Sequence, residues 1–169
     1  WQAQYTLSAL LLAFGCSQLI WGPLSDRFGR RPVLLTGLLA YTLAALASTQ
    51  APSMLWLIVW RALQGAAMGA VVVCARAIVR DLYAPTEGAR IMSKGLSGLG
   101  VLACLAPPVG SLVSDLSGWR MTLLVPALFS AGTLALVIWR FKETLAQPNP
   151  QALHARSLVR TWTVILRNP

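Results

Sequence analysis

Five long apolar runs constrain this chain more than any other feature. Residues 5–24, 33–49, 54–79, 91–113 and 121–139 are apolar almost throughout, without the alternation that a half-buried strand needs. A bilayer hydrocarbon core about 30 Å thick takes about 20 such residues per crossing helix. Within it the backbone has to satisfy its own hydrogen bonds, which a lone segment does only as a helix. The expected fold class is therefore an all-α integral membrane bundle of about five transmembrane helices. Composition agrees: 56% of the 169 residues are hydrophobic and 11% are charged, against about 25% charged in soluble domains. That balance excludes a disordered chain, a soluble enzyme with an ordinary surface and a charged nucleic-acid-binding domain. The net charge of +9 would alone suggest nucleic acid, but in so apolar a chain basic loops set membrane orientation. The lipid bilayer is thus an expected partner and nucleic acid is not. Cys16, Cys74 and Cys104 lie inside apolar runs with no CxxC spacing, which points neither to a disulfide framework nor to a metal site.

The connections, at 25–31, 50–53, 80–90 and 114–120, are short and carry breakers or charges. Arg27, Arg30, Arg31, Arg80, Arg90, Lys94, Arg140, Lys142, Arg156, Arg160 and Arg167 all fall on one side, eleven of the 14 basic residues. The positive-inside rule places that side in the cytoplasm, with the Trp1 end periplasmic and the tail cytoplasmic. Trp56, Trp60 and Trp119 then fall near the outer interface, and Trp21 and Trp139 near the inner one. We expect a transmembrane bundle over 1–145 and a basic cytoplasmic linker over 146–169. The chain begins at Trp1 without Met, and an odd number of spans with that end outside leads us to expect an earlier span.

The segment after the first run reads Gly22-Pro23-Leu24-Ser25-Asp26-Arg27-Phe28-Gly29-Arg30-Arg31. A plain anchor loop explains the arginines but not the acid among them or the flanking glycines. Gly22 leaves room for a neighbouring helix and Gly29 permits a tight turn. Asp26 can pair with Arg30 and favours the positive end of a helix dipole. The string resembles the GxLxDRxGRR signature of the major facilitator superfamily, matching at Gly22, Leu24, Asp26, Arg27, Gly29, Arg30 and Arg31.

In the third run Arg61 is followed by Gln64, Gly65, Met68 and Gly69, offsets that put them on one helical face. A charge inside a membrane helix costs about 2.5 kcal/mol or more and usually faces the bundle interior. The competing reading is that Arg61 snorkels to the nearby outer interface. The group resembles the RxxQG motif of the fourth facilitator helix, and the resemblance implies a role for Arg61 in proton coupling. The fourth run holds Ala106-Pro107-Pro108-Val109-Gly110-Ser111, where two prolines are expected to bend or break the helix. It resembles the GPxxGG motif of exporters at Pro107 and Gly110, with Ala106 and Ser111 in place of glycines.

The strings 75–82, 89–93, 118–120 and 143–145 extend the resemblance to the bicyclomycin/chloramphenicol-resistance (Bcr/CflA) branch of drug:proton antiporters. It implies export of drug-like small molecules from the bacterial inner membrane, driven by the proton gradient with no cofactor. It also implies partnership with a first helix and a C-terminal six-helix half. The five acids, Asp26, Asp81, Glu87, Asp115 and Glu143, lie at the ends of runs or between them, so no mid-membrane proton carrier can be named. His154, the single histidine, reads as a solvated linker residue. Two alternatives stay open: an uptake facilitator for sugars or organic acids, and a non-transporting membrane remnant. No catalytic constellation supports an enzyme.

Overall fold

The computed structural model describes residues 2–145, with the side chains of Gln2 and Ala3 left out of the description. The expected linker over 146–169, with His154, Arg156, Arg160 and Arg167, lies outside the described residues. Five helices follow one another: α1 (Gln2–Phe28), α2 (Arg30–Thr49), α3 (Met54–Leu82), α4 (Pro85–Ser117) and α5 (Trp119–Arg140). Each is long and apolar enough to cross a membrane, and no strand occurs among the described residues.

The helices run past the apolar stretches that announce them. The stretch 25–28 is the last turn of α1, 80–82 closes α3, 85–90 opens α4, and the connection expected over 114–120 narrows to Gly118. Apolar composition marks the stretch suited to the hydrocarbon core, whereas helical hydrogen bonding can continue into the interfacial layer, where charged side chains cost far less. Pro85 at the first position of α4 gives up a donor that would be orphaned there anyway. Pro107 and Pro108 do not break α4, which stays helical through Ser117. Membrane helices tolerate such prolines by local adjustment.

Without a hydrophobic drive between helices in lipid, association rests on close packing and interhelical hydrogen bonds. α3 is the hub. It packs along α1 and against α2, and α2 in turn packs against α5. Small residues let the backbones approach: a Cβ on Gly65 would run into the Leu10 carbonyl of α1, and one on Gly37 would lie 2.7 Å from the Ala70 Cβ. Val33, Leu34 and Leu38 of α2 bury against Ala70 and Cys74 of α3, with Trp21, Ile78, Val137 and Phe141 packed around them. Trp21 donates its indole N–H to the Ala66 carbonyl of α3 at 2.8 Å. Thr42 and Ser130 join α2 to α5 by a hydroxyl pair at 2.8 Å. α4 makes only slight contact with α3 and α5, and Gly88 is its sole buried residue.

The chain order and the contacts bring the ends of α1, α3 and α5 together with the starts of α2 and α4. This basic end carries the first candidate site.

Candidate functional site

Arg30 organises the basic end. Its side chain is 3% exposed, and a guanidinium so buried needs charged and hydrogen-bonding partners to offset its lost hydration. Two helices supply them. Nη1 donates to the Ser25 hydroxyl at 2.7 Å and to the Asp26 carboxylate at 2.6 Å, both on α1. Nε donates to Asp81 on α3 at 3.0 Å. The Ser25 hydroxyl in turn donates to the Gly22 carbonyl at 2.8 Å. Asp26 remains 46% exposed, so it is held by Arg30 yet open to another partner.

Between α1 and α3 lies a cavity of about 250 Å³ lined by Gly22, Ser25, Asp26, Arg30, Arg76 and Arg80, among others. A Cβ on Gly22 would meet nothing within 4 Å, so this glycine leaves open space. Arg27 is exposed and lies over the Phe28 ring at 5.4 Å, away from the cluster. Gly29 joins α1 to α2 with φ of +101°, a region that side chains with a Cβ seldom enter. The backbone N–H groups of Arg30 and Arg31 both donate to the Glu143 carboxylate, at 2.9 and 3.0 Å. Partial burial pushes the Glu143 carboxyl up, but the N–H groups of Leu145, Arg30, Arg31 and Thr144 outweigh it and hold it below its ordinary 4.5.

The α3 group divides between two neighbours. Arg61 donates to the Gln64 side-chain carbonyl at 3.2 Å. The buried Gln64 amide donates to the Ser48 hydroxyl of α2, also at 3.2 Å. Gly65 faces the other way, against α1 at Leu10. Met68 is half-buried between these levels. Gly69 meets Ser17 of α1, so the Gly65 and Gly69 pair serves helix packing.

Pro107 and Pro108 lie on an exposed face of α4. Gly110 lies opposite Thr122, whose methyl would be 3.7 Å from an added Cβ. Ala106, Val109 and Gly110 line an apolar groove of about 580 Å³ with Val125 and Phe129 of α5.

Two partnerships escaped the sequence, those of Asp81 with Arg30 and of Glu143 with the start of α2. Scarcity was the available signal: with 5 acids against 14 basic residues, each acid at the basic end had good reason to be committed. No group of histidine, cysteine and acidic residues suited to a metal occurs among the described residues.

The chain matches the sequence profile of the Major Facilitator Superfamily over residues 2–169. It is 39% identical over 137 residues to Multidrug resistance protein D of Escherichia coli, covering 80% of this chain and 35% of that protein. It is 38% identical over 149 residues to the Chloramphenicol resistance protein of Pseudomonas aeruginosa, covering 85% and 35% respectively. With the Bicyclomycin resistance protein homolog of Haemophilus influenzae it shares 29% over 164 residues, 97% of this chain and 41% of that one. The chain thus spans about a third to two fifths of the length of these relatives. The crystal structure of the human organic anion transporter MFSD10 (TETRAN) superposes with a TM-score of 0.70 at 26% identity, covering 92% of this chain and 36% of that one. Five spanning helices, the arginine cluster at their basic end and the profile match along the chain together place this protein in the Major Facilitator Superfamily.

Proposed function

We propose that the chain forms part of a proton-coupled multidrug efflux transporter, exporting small drug-like molecules across the bacterial inner membrane by alternating access. The observation that carries this reading is the kinship with the drug-resistance proteins, each named for a resistance phenotype. The site geometry gives it a mechanism. Gly22, Asp26, Arg27, Gly29, Arg30 and Arg31 make the latch that holds the basic end in one of two states, with Asp26 as its accessible carboxylate. Arg61, Gln64, Gly65 and Met68 form the coupling region. The chain from Arg61 through Gln64 to Ser48 turns Arg61 inward, which favours a cavity role over snorkelling. Pro107, Pro108 and Gly110 mark the exporter-type segment beside the apolar groove. The proton gradient supplies the energy and no cofactor takes part. Transport is by rocking of two halves around a midplane site, so the partners include a first helix and a C-terminal six-helix half. The basic end faces the cytoplasm and the Trp1 end the periplasm.

The test is expression of a full-length protein carrying this segment in a drug-sensitive bacterial host. Resistance to chloramphenicol or bicyclomycin should rise several-fold, and efflux should collapse when a protonophore dissipates the gradient. A protein present in the membrane that confers no resistance, or that accumulates sugars or organic acids instead, overturns the reading.

A further inference from the structure

A helix leaves its first four N–H groups without intrahelical partners, and α2 accounts for all four. Gly29 N–H donates back to the Ser25 carbonyl at 3.2 Å. Arg30 and Arg31 N–H donate to the two oxygens of Glu143, at 2.9 and 3.0 Å. Pro32 has no N–H. The cap position is Gly29, which has no side chain to serve as a cap, and the first turn holds no acid. The acceptor oxygen that a capping Asp or Ser would normally supply comes instead from a carboxylate 113 residues away.

Glu143 is itself held in place. Its Oε1 accepts from the Thr144 and Leu145 amides, both at 3.0 Å. The Arg31 guanidinium reaches the Ile138 carbonyl of α5 at 3.2 Å, a second tie between the same two elements. A Cβ on Gly29 would lie 2.6 Å from Glu143 Oε2, so the glycine in the superfamily-type motif is also what admits this carboxylate. The same Arg30 whose amide is capped sends its side chain to Asp26 and Asp81.

We propose that Glu143 is a positioning residue: by capping α2 it fixes the point from which Arg30 reaches Asp26 and Asp81, and so couples the exit of α5 to the latch. A carboxylate suits the task because it offers two oxygens to two amides and favours the positive end of the α2 dipole. Glutamine offers one acceptor oxygen and no charge.

Two arms test this in a full-length protein carrying the segment, comparing Glu143→Gln and Glu143→Asp with the parent. In the first, hydrogen exchange of the Arg30 and Arg31 amides should quicken by roughly two- to thirtyfold in Glu143→Gln, the range expected for a lost cap. Exchange in the middle of α3 should not change, and Glu143→Asp should recover part of the protection. Unchanged exchange at the start of α2 overturns the proposal. The second arm rests on the transporter reading. Glu143→Gln should lower turnover by a similar factor with drug KM unchanged, and should cost nothing further in an Arg30→Lys background. An equal loss in that background shows action independent of Arg30 and likewise overturns the proposal. A parent that moves no drug counts against the transporter reading, while the exchange arm still decides the role of Glu143.

Discussion

Arg30 and Asp81 are 51 residues apart in sequence and meet at 3.0 Å, the one ion pair that joins α2 to α3 among the described residues. The side chains of Asp81 and Arg30 are 19% and 3% exposed, so the pair is partly shielded from water. A hydrogen bond to a charged group contributes about 1.5–3 kcal/mol. Asp81→Ala should therefore lower the stability of a full-length protein by about that much, read as a fall in the thermal midpoint in detergent. Asp81→Asn, which keeps an acceptor, should cost less. Equal midpoints for Asp81→Ala and the parent would remove Asp81 from the cluster.

Arg61 should be needed for coupling rather than for insertion. Its guanidinium is committed to Gln64 at 3.2 Å, and lysine keeps the charge but loses the planar fork. Arg61→Lys should retain drug binding with impaired proton-driven efflux, and Arg61→Ala should abolish efflux while the protein still reaches the membrane. Full drug resistance in Arg61→Ala would leave only an anchoring role.

Gly65 should tolerate nothing larger. An added Cβ meets the Leu10 backbone, and backbone cannot step aside as a flexible side chain can. Overpacking of this kind costs about 1–3 kcal/mol. Gly65→Val should reduce the yield of folded protein or its thermal midpoint, whereas Gly15→Ala, with nothing within 4 Å of the added Cβ, should leave both unchanged. Similar behaviour of the two variants would contradict the α1 and α3 packing.

The number of helices and their order were legible because a crossing helix has to be apolar over its whole length. Their ends were not, since the residues at 25–28 and 85–90 are polar and helical at once. The Asp26 and Arg30 pairing was legible at a spacing of four, a local relation. The contacts of Asp81 and Glu143 were not, because no local spacing encodes an approach across 51 or 113 residues. Arg61, Gln64 and Gly65 were found together by periodicity, but that alone could not say that Gln64 turns to α2 and Gly65 to α1.

Orientation can be read directly. After replacement of Cys16, Cys74 and Cys104, single cysteines at Ser53 and Gly118 should react with an impermeant maleimide added outside, and cysteines at Thr86 and Arg90 only after permeabilisation. All four positions are exposed. Label that reaches Thr86 from outside in intact cells inverts the topology.

The latch should govern the balance between two states more than it governs binding. Asp26 is partly exposed at 46% while Arg30 holds one of its oxygens. Its charge is therefore available to the positive N-terminal end of a helix closing over the basic end. Such an interaction contributes about 0.3–1 kcal/mol, and up to about 2 when partly buried. At 25 °C that biases a two-state equilibrium by roughly two- to thirtyfold, enough to alter turnover without abolishing binding. Gly22 lies one turn earlier, lining the same cavity with open space above it, where any bulk would keep an incoming helix away. Asp26→Asn should shift a full-length protein toward the state open at the basic end, seen as longer distances between spin labels across that end. Gly22→Val should do the same by steric means, and in both variants drug affinity should change less than transport rate. If both variants fold, transport at the parent rate and keep the parent distance distribution, the segment acts only as an anchor for topology.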